Sequence, residues 1–115
     1  MVNQRVEIPV ACDLNALTLA ERERRHTLAA ALMRAIVSSA ELANGFELRL
    51  DSTRLDLSSL AEWVALERRC CPFLHFRIEL EPADGEATLA LTGADGVKEF
   101  LRTSTALRPG VRQPG

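Results

Sequence analysis

The chain lacks the features that mark several large classes of protein. Its 115 residues contain no run of about 18 apolar residues, so no transmembrane helix is expected. Lysine and arginine (14) are fewer than aspartate and glutamate (16), which argues against a nucleic-acid-binding surface. The start of the chain also lacks the basic and apolar segments of a secretory signal peptide. We therefore expect a cytoplasmic protein that binds neither membranes nor, by itself, nucleic acid.

Cysteine is scarce, and its count is odd. Cys12, Cys70 and Cys71 are the three cysteines of the chain. An odd number without a signal peptide is a poor basis for a disulfide framework, so the thiols are expected to be reduced. A disulfide within the adjacent pair would also be strained, because neighbouring Cα atoms lie about 3.8 Å apart and disulfides prefer about 4.4 Å or more.

Familiar catalytic motifs are missing as well. The sequence has no Ser-His-Asp order and no HExxH motif, and the Gly-Ala-Asp-Gly stretch at residues 93–96 is too short for a nucleotide-binding loop. Glu62 and Glu67 are five residues apart and would lie on different faces of a helix, which argues against a catalytic carboxylate pair. The sequence favours a binding role over an enzyme.

The composition is typical of one compact domain. Hydrophobic residues make up 47% of the chain and charged residues 26%. A chain of this length buries enough surface for a single core without disulfides. We expect one domain over residues 1–107, followed by a flexible polar tail over residues 108–115.

Four segments show the two-residue alternation of half-buried strands. They are residues 4–10, 46–50, 74–80 and 87–91. Asp84-Gly85, between the last two segments, predicts a hairpin turn.

A long first helix is predicted between the first two strands. Thr18 and Glu21 have the spacing of a capping box, so the helix is expected to begin there and to stop at Asn44-Gly45. Apolar residues at spacings of three and four predict its buried stripe. The stripe consists of His26, Ala29, Ala30, Met33, Val37 and Ala40.

A second helix is expected after residue 56, with Asp56 or Ser59 as its cap. It ends at Cys70 or Cys71, because Pro72 disfavours helical backbone in the residue before it. Its predicted core face consists of Leu57, Leu60, Ala61 and Val64.

A short last helix, with Val97, Phe100 and Leu101 on its inner face, completes the order β-α-β-α-β-β-α. Each predicted strand is apolar on one face only. The sequence therefore predicts a two-layer α+β domain, in which three helices cover one face of a four-stranded sheet.

One segment combines a carboxylate with two thiols, namely Glu67-Arg68-Arg69-Cys70-Cys71-Pro72-Phe73. At about 100° per residue, Cys71 shares the core face of the helix and Glu67 lies about 40° away. A desolvated carboxylate beside two thiols predicts a ligand-binding site for a thiophilic metal ion, another ligand or an oxidant. Its residues are Glu67, Cys70 and Cys71.

The same segment also has a purely structural interpretation. Cys71 is then a small core residue, Cys70 is half exposed, and Glu67 contacts solvent or pairs with an arginine. The protein would in that case be a structural or dimerisation domain with no chemistry of its own. The sequence leaves both interpretations open.

A metal site at Cys70 and Cys71 would draw on further ligands. Cys12 can supply a third sulfur and His26 a nitrogen, whereas the lack of a CxxC pair disfavours zinc. Whether Cys12 reaches the pair depends on the direction of the first strand. Helical crossovers favour parallel strands, which would leave Cys12 at the opposite end of the sheet as a bystander.

The outward face of the third strand suggests a partner. Phe73 and His75 alternate onto that face, where His75 is expected to be solvated. An open sheet face that carries Phe73 favours a homodimer.

Several segments together resemble a family of small, uncharacterised bacterial proteins with a Cys-Cys-Pro-Phe core motif. The similar segments are residues 12–14, 21–26, 44–46, 67–73 with Phe76, and 92–101, and the resemblance spans about residues 5–102. It implies a compact cytosolic bacterial protein. It directs attention to Cys12, Glu67, Cys70 and Cys71 and implies no reaction.

Overall fold

Three helices and a four-stranded sheet make up the part of the chain that the structure, a computed structural model, describes: residues 9–83 and 85–103. The helices are α1 (Leu19–Ala35), α2 (Leu57–Cys70) and α3 (Val97–Thr103). The strands are β1 (Ile36–Leu42), β2 (Gly45–Leu50), β3 (His75–Leu80) and β4 (Ala87–Thr92). A 3-10 turn, Leu14–Ala16, precedes α1. The predicted α+β class is confirmed.

The sheet is antiparallel throughout, with strand order β1-β2-β4-β3. Its register aligns apolar side chains across the strands, because Leu89 of β4 lies opposite both Leu48 of β2 and Ile78 of β3. Phe46 and Leu91 form the next row. This apolar face joins the buried residues of all three helices in one core.

The first helix is shorter than the sequence predicted. It begins at the expected capping box, where Thr18 Oγ1 accepts from the amide of Glu21 and Glu21 Oε1 accepts from the amide of Thr18. It ends at Ala35 rather than at Asn44-Gly45, and β1 follows directly. The β-branched residues at its start favour a strand, and pairing with β2 supplies the hydrogen bonds that a longer helix would have made. Asn44 belongs to the turn between β1 and β2.

The buried faces of α1 and α2 are also rotated from the predicted ones. Helix α1 buries Leu28, Leu32 and Ala35, while His26 and Met33 of the predicted stripe are exposed. The Leu28 and Leu32 side chains are larger, so burying their stripe removes more apolar surface from water. Helix α2 begins at the predicted cap, Asp56, and ends as expected at Cys70. Its buried residues are Leu60, Trp63, Leu66, Glu67 and Cys70, whereas Leu57 and Ala61 are exposed.

Ion pairs connect α1 to α2. Arg24 donates two hydrogen bonds to the Glu62 carboxylate at 2.8 and 2.9 Å. Arg69 donates to Glu21 at 2.7 and 3.1 Å. The charged residues at the start of α1 (residues 21–25) therefore take part in the contact between the two helices. A third, partly buried pair is described below.

Some predictions fall on residues outside the described ranges. They include the strand at residues 4–10 up to residue 8, Asp84 of the predicted turn, and the tail at residues 108–115. Pro9 and Val10 are described and do not form a strand. The hairpin between β3 and β4 is confirmed by their antiparallel pairing. Within the described ranges, no helix is long and apolar enough to cross a membrane.

Gly45 lies where β2 approaches β4 too closely for a side chain. A Cβ atom at this position would lie 1.9 Å from the carbonyl oxygen of Leu91. We predict that Gly45→Ala destabilises the fold by about 1–3 kcal/mol, because the central strands must separate. Denaturant unfolding measures the loss. Arg49→Ala, at an exposed position of the same strand, should cost less than about 1 kcal/mol, and an equal loss in the two variants would contradict this explanation.

Glu21 makes stability depend on pH. Its hydrogen bonds with Arg69 and with the Thr18 amide lower its pKa from 4.5 to about 2. A lowered pKa stabilises the fold above the unfolded value, so this contribution is lost as the pH falls from about 5 to about 2. We expect Glu21→Gln to unfold more readily at pH 6 and to show a smaller change of stability between pH 6 and pH 3. Glu23→Gln, at an exposed position of the same helix, should keep the wild-type pH dependence.

Candidate functional site

The carboxyl end of α2 holds two cysteines and a carboxylate in the interior. The amide of Cys71 donates to the carbonyl of Glu67 at 2.7 Å and closes the last turn of the helix. Cys70 and Cys71 are fully buried, and Glu67 is only 7% exposed. The predicted juxtaposition of an acid and two cysteine sulfurs is therefore present, with Cys70 more deeply buried than the structural interpretation expected.

Cys12 forms a disulfide with Cys71, their Cα atoms 4.3 Å apart. This corrects two expectations, that the thiols are reduced and that Cys12 is a bystander. The first expectation followed from the odd number of cysteines without a signal peptide, and the second from a first strand parallel to the third. Cys12 instead lies in the loop before the 3-10 turn, where the amide of Asp13 donates to the carbonyl of Cys70 at 2.6 Å. The loop thus reaches the end of α2 directly.

The third sulfur is a buried thiol. Cys70 Sγ lies 3.6 Å from Cys71 Sγ and 3.7 Å from the carbonyl oxygen of Glu67. Burial raises the pKa of the Cys70 thiol, and the negative charge of Glu67 raises it further. Cys70 therefore remains protonated at neutral pH, as expected for a cysteine in an apolar environment.

The Glu67 carboxylate is paired with Arg25 of α1. Arg25 Nε donates to Oε1 at 2.7 Å and Nη2 donates to Oε2 at 3.0 Å, so the ion pair is bidentate. These hydrogen bonds raise the pKa of Arg25. Oε2 also lies 3.3 Å from Cys71 Sγ. The structural interpretation of the sequence allows Glu67 to pair with an arginine but does not identify Arg25 as that partner. The complementary charges of α1 and α2 are the only sequence signal that relates to it, and they do not single out Arg25.

Cys12, Glu67 and Cys71 offer ligand atoms that all lie within 4.8 Å of one another. In the described part of the chain, His26 is not a member of this group and is exposed on α1. Cys70 contacts the group through Cys71. Two sulfurs and one carboxylate can bind a metal ion once the disulfide is reduced, because thiolates, not disulfide sulfurs, are metal ligands.

Phe73 does not lie on an open face. It is 9% exposed and packs edge to face against Phe100, with ring centroids 4.9 Å apart. The expectation that placed it outside the core is wrong, because residues 72–74 form a turn before β3 begins at His75. His75 is exposed as predicted. Self-association stays a prediction, without Phe73 as its reason.

Comparison with known proteins adds no further assignment. No protein-family model matches the chain, and no curated protein or solved structure matches it either. The resemblance to bacterial Cys-Cys-Pro-Phe proteins stays a prediction. The geometry of the site is therefore the basis for its function.

The Cys12–Cys71 bond links residues 59 positions apart. We predict that reduction lowers the free energy of unfolding by about 2–4 kcal/mol, because a long loop gains freedom in the unfolded chain. Unfolding in urea with and without a reductant measures the change. Cys12→Ser should behave like the reduced protein and should not respond to the reductant. Three reactive thiols in the denatured, unreduced protein would contradict the disulfide.

Proposed function

We propose that this protein is a thiol-based metal-binding module of the bacterial cytoplasm. Its reduced form binds a soft divalent metal ion through Cys12, Cys71 and Glu67. The observation that carries the proposal is that the ligand atoms of these three residues lie within 4.8 Å of one another. A set with two sulfurs favours thiophilic ions such as Cd²⁺ over hard ions such as Mg²⁺.

Contacts other than the disulfide support the same arrangement in the reduced protein. The hydrogen bond from the Asp13 amide to the Cys70 carbonyl holds the loop at the end of α2. Arg69 reinforces it by donating to the carbonyl of Ala16 at 3.1 Å. Because these contacts flank Cys12 on its carboxyl side, opening the disulfide leaves its thiol close to Cys71. Such preorganisation lowers the cost of binding.

The formal charges suit a divalent ion. Two thiolates and the Glu67 carboxylate carry three negative charges, and Arg25 contributes one positive charge from 2.7 Å. A divalent cation neutralises the two negative charges that remain. This balance matters because uncompensated charge is costly in a site as buried as Cys71 and Glu67.

Oxidation and metal binding exclude one another at this site. Both sulfurs are consumed when the disulfide forms, so the oxidised protein has lost two of its three ligands. In the cytoplasm, glutathione and thioredoxin keep such thiols reduced, and an oxidant would form the bond. The module therefore responds to the redox state as well as to the metal.

Cadmium titration tests the proposal. The reduced, metal-free protein should bind one Cd²⁺ with the ultraviolet charge-transfer absorption of cadmium thiolates, and the disulfide form should not. Cys12→Ser and Cys71→Ser should each weaken binding by about 100-fold, and Glu67→Gln by about tenfold.

Cys70→Ser is the matched control, because it removes the neighbouring thiol that lies outside the three-residue group. It should keep the affinity of the wild type. Two outcomes would overturn the proposal. If Cys12→Ser and Glu67→Gln bind Cd²⁺ as the wild type does while Cys71→Ser only lowers stability, residues 67–73 are a packing and chain-reversal element of a structural domain. If Cys70→Ser and Cys71→Ser both abolish binding while Cys12→Ser keeps it, the vicinal pair is the site instead.

A further inference from the structure

Cys70 is the cysteine that the proposed metal site leaves unused, although its sulfur adjoins that site. Cys70 Sγ lies 3.6 Å from Cys71 Sγ, which is bonded to Cys12 Sγ. The amide of Asp13, the residue after Cys12, donates to the carbonyl of Cys70 at 2.6 Å, so the backbone near Cys12 is held to Cys70 as well. All three sulfur atoms of the chain therefore belong to one cluster.

Charge decides which kind of ion three sulfurs can hold in this position. Cys70 and Cys71 are fully buried, where uncompensated charge is costly. Three thiolates around a divalent ion leave one negative charge, whereas three thiolates around a trivalent centre are neutral. The trivalent complex also leaves the Glu67 carboxylate to Arg25, its partner in two hydrogen bonds. A three-sulfur site here therefore suits a trivalent, thiophilic centre.

Arsenous acid, the form of arsenite at neutral pH, supplies such a centre without bringing a charge. It is a neutral molecule with three hydroxyl groups on one trivalent arsenic. Each arsenic–oxygen bond that breaks is replaced by an arsenic–sulfur bond, and the hydroxyl group leaves as water with the proton of the thiol. Three thiols thus release three waters, the arsenic stays trivalent, and no oxidant or reductant is consumed. The product is neutral, as the buried position requires.

A cavity beside the cluster gives this molecule access. Its volume is about 160 Å³, about ten times what one water molecule needs, and arsenous acid has only four non-hydrogen atoms. The exposed Cys12 lines the cavity, as does Glu67, whose Oε2 lies 3.3 Å from Cys71 Sγ. The first bond to arsenic can therefore form at Cys12 and the second at Cys71. Cys70 Sγ is the next sulfur within reach.

We propose that the reduced protein binds trivalent arsenic through the sulfur atoms of Cys12, Cys70 and Cys71. The inference rests on the proposed function for Cys12 and Cys71, and it replaces Glu67 by Cys70 as the third ligand. The two classes of ligand are thereby separated, because a divalent ion uses the carboxylate and arsenic uses the third sulfur. The disulfide form has lost two of the three sulfurs and does not bind arsenic.

Native mass spectrometry of the reduced full chain with sodium arsenite counts the sulfur ligands. The protein is reduced with a phosphine, because thiol reductants bind arsenite themselves. Three arsenic–sulfur bonds replace three hydrogens of the protein by one arsenic atom. Two bonds leave one hydroxyl group on the arsenic, which makes the complex heavier by the mass of one water. We expect one arsenic per chain and no retained hydroxyl group.

Cys70→Ala and Glu67→Gln separate the two third ligands. Cys70→Ala removes the sulfur and leaves no oxygen in its place, so the affinity for arsenite should fall by about 100-fold or more and the complex should retain one hydroxyl group. Glu67→Gln should weaken Cd²⁺ binding more than arsenite binding, and Cys70→Ala should do the reverse. Val64→Ala, on the same helix and packed against the same core, is the matched control and should keep the wild-type affinity for arsenite.

Three results would overturn the inference. The wild-type complex retains a hydroxyl group, or Cys70→Ala binds arsenite as tightly as the wild type, or the disulfide form binds it as well as the reduced form. The unfolding transition in urea verifies that Cys70→Ala is folded, and the mass of the wild-type complex depends on no variant. Failure of the proposed function is a different result, namely Cd²⁺ binding that is absent or independent of Glu67.

Discussion

The carboxylate of Glu67 is a charge in a nearly water-free position, and the packing of α1 on α2 depends on how that charge is paired. A buried carboxylate without a partner costs several kcal/mol. Arg25 removes this cost with two hydrogen bonds, and it can do so only while α1 holds its present position against α2. The exposed pairs between the same helices contribute little by comparison. This partly buried pair thus constrains where the helices meet beside the cysteines.

The end of α2 adds a second constraint. Pro72 cannot continue the helix, so the chain turns while Cys70 and Cys71 are still part of the core. The turn leaves the carbonyl of Cys70 free for the amide of Asp13, which fixes the loop that carries Cys12. The local geometry of a helix end therefore brings together residues from distant parts of the chain.

Local signals predicted the fold well and the site only in part. The capping box at Thr18, the end of α2 before Pro72 and the hairpin of β3 and β4 each depend on neighbouring residues, and all are observed. Strand β1 was missed because its apolar residues also fit the helical spacing, and only pairing with β2 decides between the two. Arg25 and Glu67 lie 42 residues apart and Cys12 and Cys71 lie 59 apart. No local pattern encodes such contacts.

The different burial of the three cysteines decides which of their sulfur atoms an external reagent reaches first. Cys12 is exposed, whereas Cys70 and Cys71 are buried, so an external thiol meets Cys12 first. When that thiol, as its thiolate, attacks the sulfur of Cys12, a mixed disulfide forms and Cys71 leaves as a thiolate. The Cys71 sulfur lies 3.3 Å from the Glu67 carboxylate, so a second negative charge there is unfavourable. A bound divalent cation would remove that repulsion by neutralising both groups. Under the proposed function, the metal ion binds only the reduced form and therefore shifts the equilibrium between disulfide and dithiol toward the dithiol. An oxidant that closes the disulfide must in turn displace the metal.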